Sequence, residues 1–480
     1  MQSAHPRRWS ALAVIALAQF IVIMDTSITG VALPQIQSDL DFSPESLSWV
    51  FNAYVIAFGG LLLLGGRLSD LLGARRVFTA GWIILAAGSL AAGLAESSGV
   101  EIAARAVQGP GAALIAPSAL TLLMMLFGSN PKELMKAFAI YGAAAPAGGT
   151  AGVFLGGVIT EWVSWPWVFY VNIPLALVVL ALTPALMPAA AARRGSIDIA
   201  GAVTATTGLA LTVFGVVRAP VEGWGSETTV LSVAGGVALL AAFVALQASV
   251  REPLMRLGIL RTPNLAAANI AQLLLGAAWI PMWFFLNLYL QQVLGYGAFE
   301  GGAALLPMTI AIMVLMVVVA PRVIARFGTK APVVAGLLVL AAGMAALSLV
   351  RPDGNFAVDV LPASLLTATG MALAFIPSLG TAISSAKPEE GGLASGIVST
   401  AYQVGSALGL AAMTALASAQ GADRLGDAVA LTEGYSAAFL GAAGIAVVGA
   451  VLAATLLRTP EAPAVDMPAD PVEEDVRIAA

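Results

Sequence analysis

Two residues could carry charge where the surrounding sequence leaves no room for water. Asp25 lies in IVIMDTSITGVALPQI (21–36), inside an apolar run from Ala11 to Pro34. That run is about as long as the ~20 residues a helix needs to cross a bilayer. An ionised carboxylate at such depth costs between ~2.5 and well over ~10 kcal/mol. The chemistry open to Asp25 is proton carriage, one proton gained and lost per cycle. The plainer reading is a hydrogen-bonded brace, with Thr29 one turn on along the same face. Arg105 lies in GVEIAARAVQGPGAAL (99–114), where Glu101, Arg105 and Gln108 are spaced i, i+4, i+7 and share a helical face. Together they are expected to form a charged, hydrogen-bonded strip in which Arg105 biases nearby acids and times proton uptake. The alternative puts Glu101 near outer water, clipped to Arg105 as a structural pair. Gly109-Pro110-Gly111 would loosen or kink that helix.

Other chemistries are excluded by residue type. The chain has no cysteine and one histidine, His5, so thiolate chemistry, disulfides, His relays and Cys or His metal sites have no residues to use. No Gly-x-x-x-x-Gly-Lys-[Ser/Thr] phosphate loop is present, which argues against an ATP-driven pump. No clustered catalytic set is found, so the chain is read as not an enzyme.

The elements that must position Asp25 and Arg105 are membrane helices. Apolar residues make up 59% of the 480 residues and charged ones 10%, against ~25% charged in a soluble domain. Mean hydropathy is +0.92. The first apolar run is longer than a signal-peptide core and has no small-residue cleavage site after it, so it is read as a span. Apolar runs recur at 10–33, 46–66, 77–95, 102–127, 135–159, 167–188, 199–217, 229–249, 264–290, 302–321, 331–350, 357–383, 392–418 and 434–457, about fourteen spans. With the N-terminus in the cytoplasm, every Lys and Arg except Arg105, Arg218, Arg351 and Arg424 falls in an inside segment. An even span count then keeps both termini inside.

The chain repeats itself. GGRLSDLLGARRVF (65–78) follows span 2, and APRVIARFGTKAPV (320–333) follows span 10. Aligning Gly73 with Gly328 places Arg67 on Arg322 and Arg75 on Lys330. LIAPSAL in span 4 echoes AFIPSLG in span 12. Two halves in the same orientation imply a pseudo-two-fold axis along the membrane normal. The fold class is therefore an all-α membrane protein of two six-helix bundles plus two inserted helices. The divisions are 1–192, 193–256 for the inserted pair, 257–458, and a Pro/Ala/acidic tail at 459–480 read as disordered. Membrane-depth charge belongs to the first half, because span 9 has only neutral polar residues such as Asn269, Gln272 and Asn287.

These stretches resemble the major facilitator superfamily, and the span count points to its fourteen-span drug:proton antiporter branch, the QacA/EmrB-like transporters. MDTSITGVALP, GGRLSDLLGARR, RAVQGPGAAL, YLQQVLGYGAFEGGAALLP and GLASGIVSTAYQVGSALG occur in the family's order over nearly the whole chain. The resemblance implies a conformational latch at Gly66, Arg67, Asp70, Gly73, Arg75 and Arg76. The plainer reading of that loop is charge that holds it inside. It implies a span-4 motif at Arg105, Gln108, Gly109 and Gly111, and proton coupling by Asp25 and Arg105 with Glu101 beside them. The span-5 motif falls on Gly148, Gly152, Gly156 and Gly157 but departs from the family pattern. GGTAGVFLGG stands where Gly-Pro-x-x-Gly-Gly is usual, with Pro146 out of register. Trp165-Pro166-Trp167 replaces Trp-Arg-Trp, followed by the usual Phe169 and VNIP.

Substrate-cavity candidates are Asn52, Gln272, Trp279, Trp283, Tyr289, Phe375 and Gln403, since such sites lie near the midplane between halves. Their aromatic faces could hold organic cations. The alternative is that the aromatics face lipid or form an interfacial belt. The function implied is proton-coupled export of amphipathic or cationic organic compounds by alternating access. An exporter dedicated to one metabolite or antibiotic, and a non-transporting sensor or scaffold, are the other readings. The expected partners are a small organic substrate, protons and the lipid bilayer, with no nucleic acid and no cofactor. The chain is expected to be a monomer in a bacterial cytoplasmic membrane.

Overall fold

The computed structural model describes residues 7–189, 198–262, 264–386 and 391–458. The expected boundary at 192/193, His5, Arg193, Arg194, Lys387, Arg477 and the tail 459–480 lie outside them. A chain this apolar must satisfy its backbone groups internally, and helices do so within each segment. Fourteen long helices result among the described residues: α1 Arg8–Asp39, α2 Trp49–Leu72, α3 Ala74–Gly93, α4 Ser98–Phe127, α5 Pro131–Trp162, α6 Asn172–Leu186, α7 Ile199–Glu222, α8 Glu227–Ser249, α9 Leu265–Leu288, α10 Ala298–Val314, α11 Lys330–Leu347, α12 Leu361–Ser385, α13 Gly391–Ala417 and α14 Ala428–Leu456. The end that the charge asymmetry places outside is called the outer face below.

Thirteen helical segments among the described residues are long and apolar enough to span a membrane. The remaining expected span is α13, a 27-residue helix. It carries Ser395, Ser399, Thr400, Tyr402, Gln403 and Ser406, which interrupt its apolar run. It packs against α2, α7, α9 and α14, so those polar groups are shielded from lipid by other helices. Helix ends also shift. α1 runs past Pro34 to Asp39, α10 begins at Ala298 and α14 at Ala428, each extending a span beyond its apolar run.

The two halves repeat the same packing. α1 lies along α5 as α9 lies along α13, and α3 packs on α4 as α11 packs on α12. Between halves the contacts are reciprocal, α5 on α10 and α2 on α13. The aligned glycines support the repeat: Gly73 ends α2 at φ 92° and Gly328 ends Ala320–Phe327 at φ 71°, conformations that favour a residue without Cβ. Inserted helices α7 and α8 pack on each other, and α7 also reaches both α2 and α13. Asp198 caps α7 through Gly201 N (2.7 Å) and accepts from Gln247 Nε2 of α8 (2.6 Å), which ties the pair together.

Candidate functional site

The charged centre is built by five helices. α1 supplies Asp25, α3 Ser89, α4 Arg105 and Gln108, and α6 Asn172, while α2 supplies a carbonyl and a ring. All five side chains are fully shielded, at 0% exposure. Arg105 Nη1 lies 2.7 Å from Asp25 Oδ2 and donates to Gln108 Oε1 at 2.6 Å. Arg105 Nε donates to the Val50 carbonyl at 2.9 Å. Asn172 Nδ2 donates to Asp25 Oδ1 at 2.7 Å, and Gln108 Nε2 reaches the same oxygen at 3.4 Å. Ser89 Oγ accepts from Gln108 Nε2 at 2.7 Å. The guanidinium lies over the Tyr54 ring (4.6 Å) and near the Phe169 ring (5.7 Å). Thr29 donates to Asp25's own backbone carbonyl at 2.7 Å, so it holds the helix and not the carboxylate.

The i, i+4, i+7 face is realised only in part. Arg105 and Gln108 join, but Glu101 does not pair with Arg105. Both Glu101 carboxyl oxygens are buried without a hydrogen-bond partner, and so is Arg105 Nη2. Geometry explains this. Arg105 extends toward α1 and α2, where Asp25 and Val50 O take its donors. Sequence reasoning missed Ser89, Asn172 and Tyr54. Asn172 was visible as the polar residue of VNIP, but neutral polar side chains in apolar runs are too common to single out.

The loop after α2 is placed as follows. Arg67 pairs with Glu252 at 2.5 Å, just beyond the inserted helices. Arg75 donates to the Met187 carbonyl at 3.4 Å. Asp70 and Arg76 are exposed and Gly66 is half-buried. α4 does not break at its glycines. Gly109 backs onto α2, where a Cβ would meet Tyr54 O at 2.7 Å, and Gly111 backs onto α3, meeting Leu85 N at 2.6 Å. On α5, Gly148, Gly152 and Gly156 face the α1 backbone, whereas Gly157 faces Ala298 and Phe299 of α10.

The cavity candidates separate. Trp279 and Trp283 are buried and stacked 6.4 Å apart, not lipid-facing. Phe375 meets Tyr402 edge-on at 5.6 Å. Gln272 donates to Phe375 O (3.0 Å) and Ser378 Oγ (2.9 Å), joining α9 to α12. Gln403 packs against Gly59 across the halves. Asn52 is buried with neither amide atom paired. Tyr289 is buried and donates to Arg351 O at 2.7 Å, which commits it to an outer connection.

The halves are sealed at the outer face. Gln291 donates to Val31 O at 2.9 Å, Gln292 to Gln37 Oε1 at 2.7 Å, and Tyr435 to Gln292 Oε1 at 2.6 Å. Gln291 and Gln292 lie in the widened helical turn Tyr289–Val293 that extends α9. Gln292→Leu keeps the volume and removes the bond to Gln37 that crosses between the halves, worth ~1 kcal/mol, so the outer-open population is expected to rise about fivefold. The chain has no cysteine, so one introduced at Thr414, which is buried beside Gln37 and Gln292, reports without background. Its labelling by a membrane-impermeant maleimide is expected to accelerate in Gln292→Leu, and an unchanged rate would show that the seal does not rest on this residue.

Two helical halves in reciprocal contact, with a buried ion pair inside one of them, are the architecture of a polytopic membrane transporter. The chain belongs to the Major Facilitator Superfamily, which matches residues 15–410. It is 39% identical over 459 residues to the cephamycin export protein CmcT of Amycolatopsis lactamdurans, covering 94% of each chain. It is 36% identical to the puromycin resistance protein pur8 of Streptomyces alboniger, covering 95% of this chain and 92% of that one. A crystal structure of an auto-inhibited POT family peptide transporter shares the fold, with TM-score 0.66 and 16% identity over 95% of this chain and 99% of that one. So does a crystal structure of a mutant of the nucleoside transporter NupG, with TM-score 0.65 and 14% identity over 94% of this chain and 100% of that one.

Proposed function

We propose that the protein exports small organic compounds, antibiotics among them, in exchange for protons, with Asp25 as the coupling carboxyl and Arg105 as its charge partner. The observation that carries the reading is the fully buried Asp25–Arg105 pair. Protonating Asp25 would remove the charge that holds Arg105 and free the contacts among α1, α4 and α6. One elementary charge crossing the membrane supplies ~2.3 kcal/mol per 100 mV. Alternating access would come from rocking of the halves about the α2–α13 and α5–α10 contacts. The working form is a monomer in a bacterial cytoplasmic membrane with both termini inside. The resemblance to proteins named for cephamycin export and puromycin resistance also favours a second reading, an exporter tuned to one antibiotic.

The test is ethidium efflux from energised vesicles, comparing wild type, an uncoupler and Asp25→Asn. Both treatments are expected to reduce transport to background. Uncoupler-sensitive transport that survives Asp25→Asn would leave Asp25 as a brace. Transport of one antibiotic in a panel, with no ethidium efflux, would select the dedicated exporter.

A further inference from the structure

The cluster holds two buried carboxyls and one buried guanidinium. Asp25 and Glu101 are both fully shielded, and so is Arg105. One cation balances one anion. The hydrogen bonds show which carboxyl takes the charge. Asp25 receives donors from Arg105, Asn172 and Gln108. Glu101 receives none, although it sits one helical turn from Arg105 on the same helix, and Arg105 Nη2 is unused. An ionised carboxylate left without donors in a water-free site is costly, whereas a neutral acid is much less so. The favourable field at the start of α4 acts on Glu101 in its first turn, but that effect is weak beside burial of an unpaired charge. The charged groups acting on Glu101 are Arg105 and Asp25. Tyr54 of α2, under the guanidinium, is the other titratable side chain at the cluster, and its hydroxyl is also unpartnered. α3 and the turn Trp167–Tyr170 bring the neutral Ser89 and Phe169.

We propose that Glu101 is a second proton-binding residue and the alternate partner of Arg105, so that the guanidinium and one proton exchange places between Glu101 and Asp25. In the conformation described here the proton is on Glu101 and Arg105 pairs with Asp25. In the other state the Glu101 proton has passed to the Asp25 carboxylate, and Arg105, still protonated, pairs with Glu101. The cluster stays neutral throughout. Glu101 lies in the outer turn of α4 and Asp25 midway along α1, which makes Glu101 the entry point for protons from outside. This inference rests on the coupling role proposed for Asp25.

The test uses the full chain in proteoliposomes and reads ethidium accumulation driven by a pH gradient, ethidium–ethidium exchange without a gradient, and the pH profile of each. Glu101→Gln mimics the neutral acid. It is expected to lose about a hundredfold in driven accumulation, the scale of one lost proton-transfer group, and less in exchange. Glu101→Asp is expected to restore part of the driven rate with a displaced pH profile. Driven accumulation by Glu101→Gln with the wild-type rate and pH profile overturns the proposal. So does loss of both activities in Glu101→Gln without any recovery in Glu101→Asp, which would mark a structural role. If Glu101→Gln fails to fold by gel filtration, Glu101→Asp decides, and an unchanged pH profile overturns the proposal. Asp25→Asn in the same assay separates the two readings. Normal driven transport by Asp25→Asn sinks the Asp25 role itself. A dead Asp25→Asn beside a Glu101→Gln of wild-type profile removes only Glu101.

Discussion

Arg105→Ala is expected to abolish transport and to lower the stability of the folded protein sharply. The guanidinium serves three acceptors or partners at once: Asp25, Gln108 Oε1 and Val50 O. Removing it leaves the Asp25 carboxylate buried without its cation, a change that costs ~3–5 kcal/mol where it has been measured. It also empties the space above the Tyr54 ring. Pairing it with Asp25→Asn removes the orphaned charge, so the double variant is expected to regain most of the lost stability and none of the transport. Arg105→Lys keeps the charge on a single ammonium group, which cannot reproduce the fork that reaches Asp25 and Val50 O together. It is expected to fold near the wild-type temperature and to transport poorly. Thermal unfolding in detergent, followed by tryptophan fluorescence, and ethidium efflux report the two quantities separately. If the double variant is no more stable than Arg105→Ala, the cost is not that of an uncompensated charge.

Asp25 and Arg105 were legible in the sequence because a charge inside an apolar run is expensive and therefore conspicuous. Their union was not, because a pairing between residues 80 apart is set by how α1 and α4 cross. Glu101 shows the limit of helical spacing. The i, i+4 relation places it near Arg105, but the longer-range partners on α1 and α2 win the guanidinium. Asn172 and Ser89 complete the centre with neutral groups that leave no mark in hydropathy. The repeat was legible through Gly73 and Gly328, whose positive φ values are a backbone requirement that side-chain divergence cannot hide. α13 was legible as a span from its place in the order, although its polar residues keep it out of the thirteen segments long and apolar enough to span. Its surroundings, and not its composition, decide where it sits.

The altered span-5 stretch leads to the second large effect. Gly148, Gly152 and Gly156 recur every four residues and form one stripe on α5. They lie against Phe20, Met24 and Ile28 of α1, whose own spacing is also four. A Cβ at Gly152 would sit 2.7 Å from Met24 O, 2.8 Å from Ser27 Cβ and 3.1 Å from Ile28 N. Two of these neighbours are backbone atoms and cannot turn aside, so α1 itself must move. Met24 adjoins Asp25, so any such movement displaces the Asp25 carboxyl from Arg105 and Asn172. The missing proline does not weaken this role, since the stripe depends on absent side chains and not on a fixed φ. Gly152→Leu is expected to be destabilised by at least the ~1–3 kcal/mol typical of overpacking. Its transport is expected to fall about a hundredfold, the usual penalty for a reacting group displaced by ~1 Å. The neighbouring glycines supply the control. Gly149 has only the Ser27 and Ile23 side chains near its Cβ position, at 3.8 and 3.9 Å, and Gly142 has open space. Gly142→Ala is therefore expected to gain up to ~1 kcal/mol of helix propensity and to transport normally. Equal losses in Gly142→Ala and Gly152→Leu would mean that α5 needs flexibility along its length. A loss confined to Gly152 would tie the stripe to the position of Asp25.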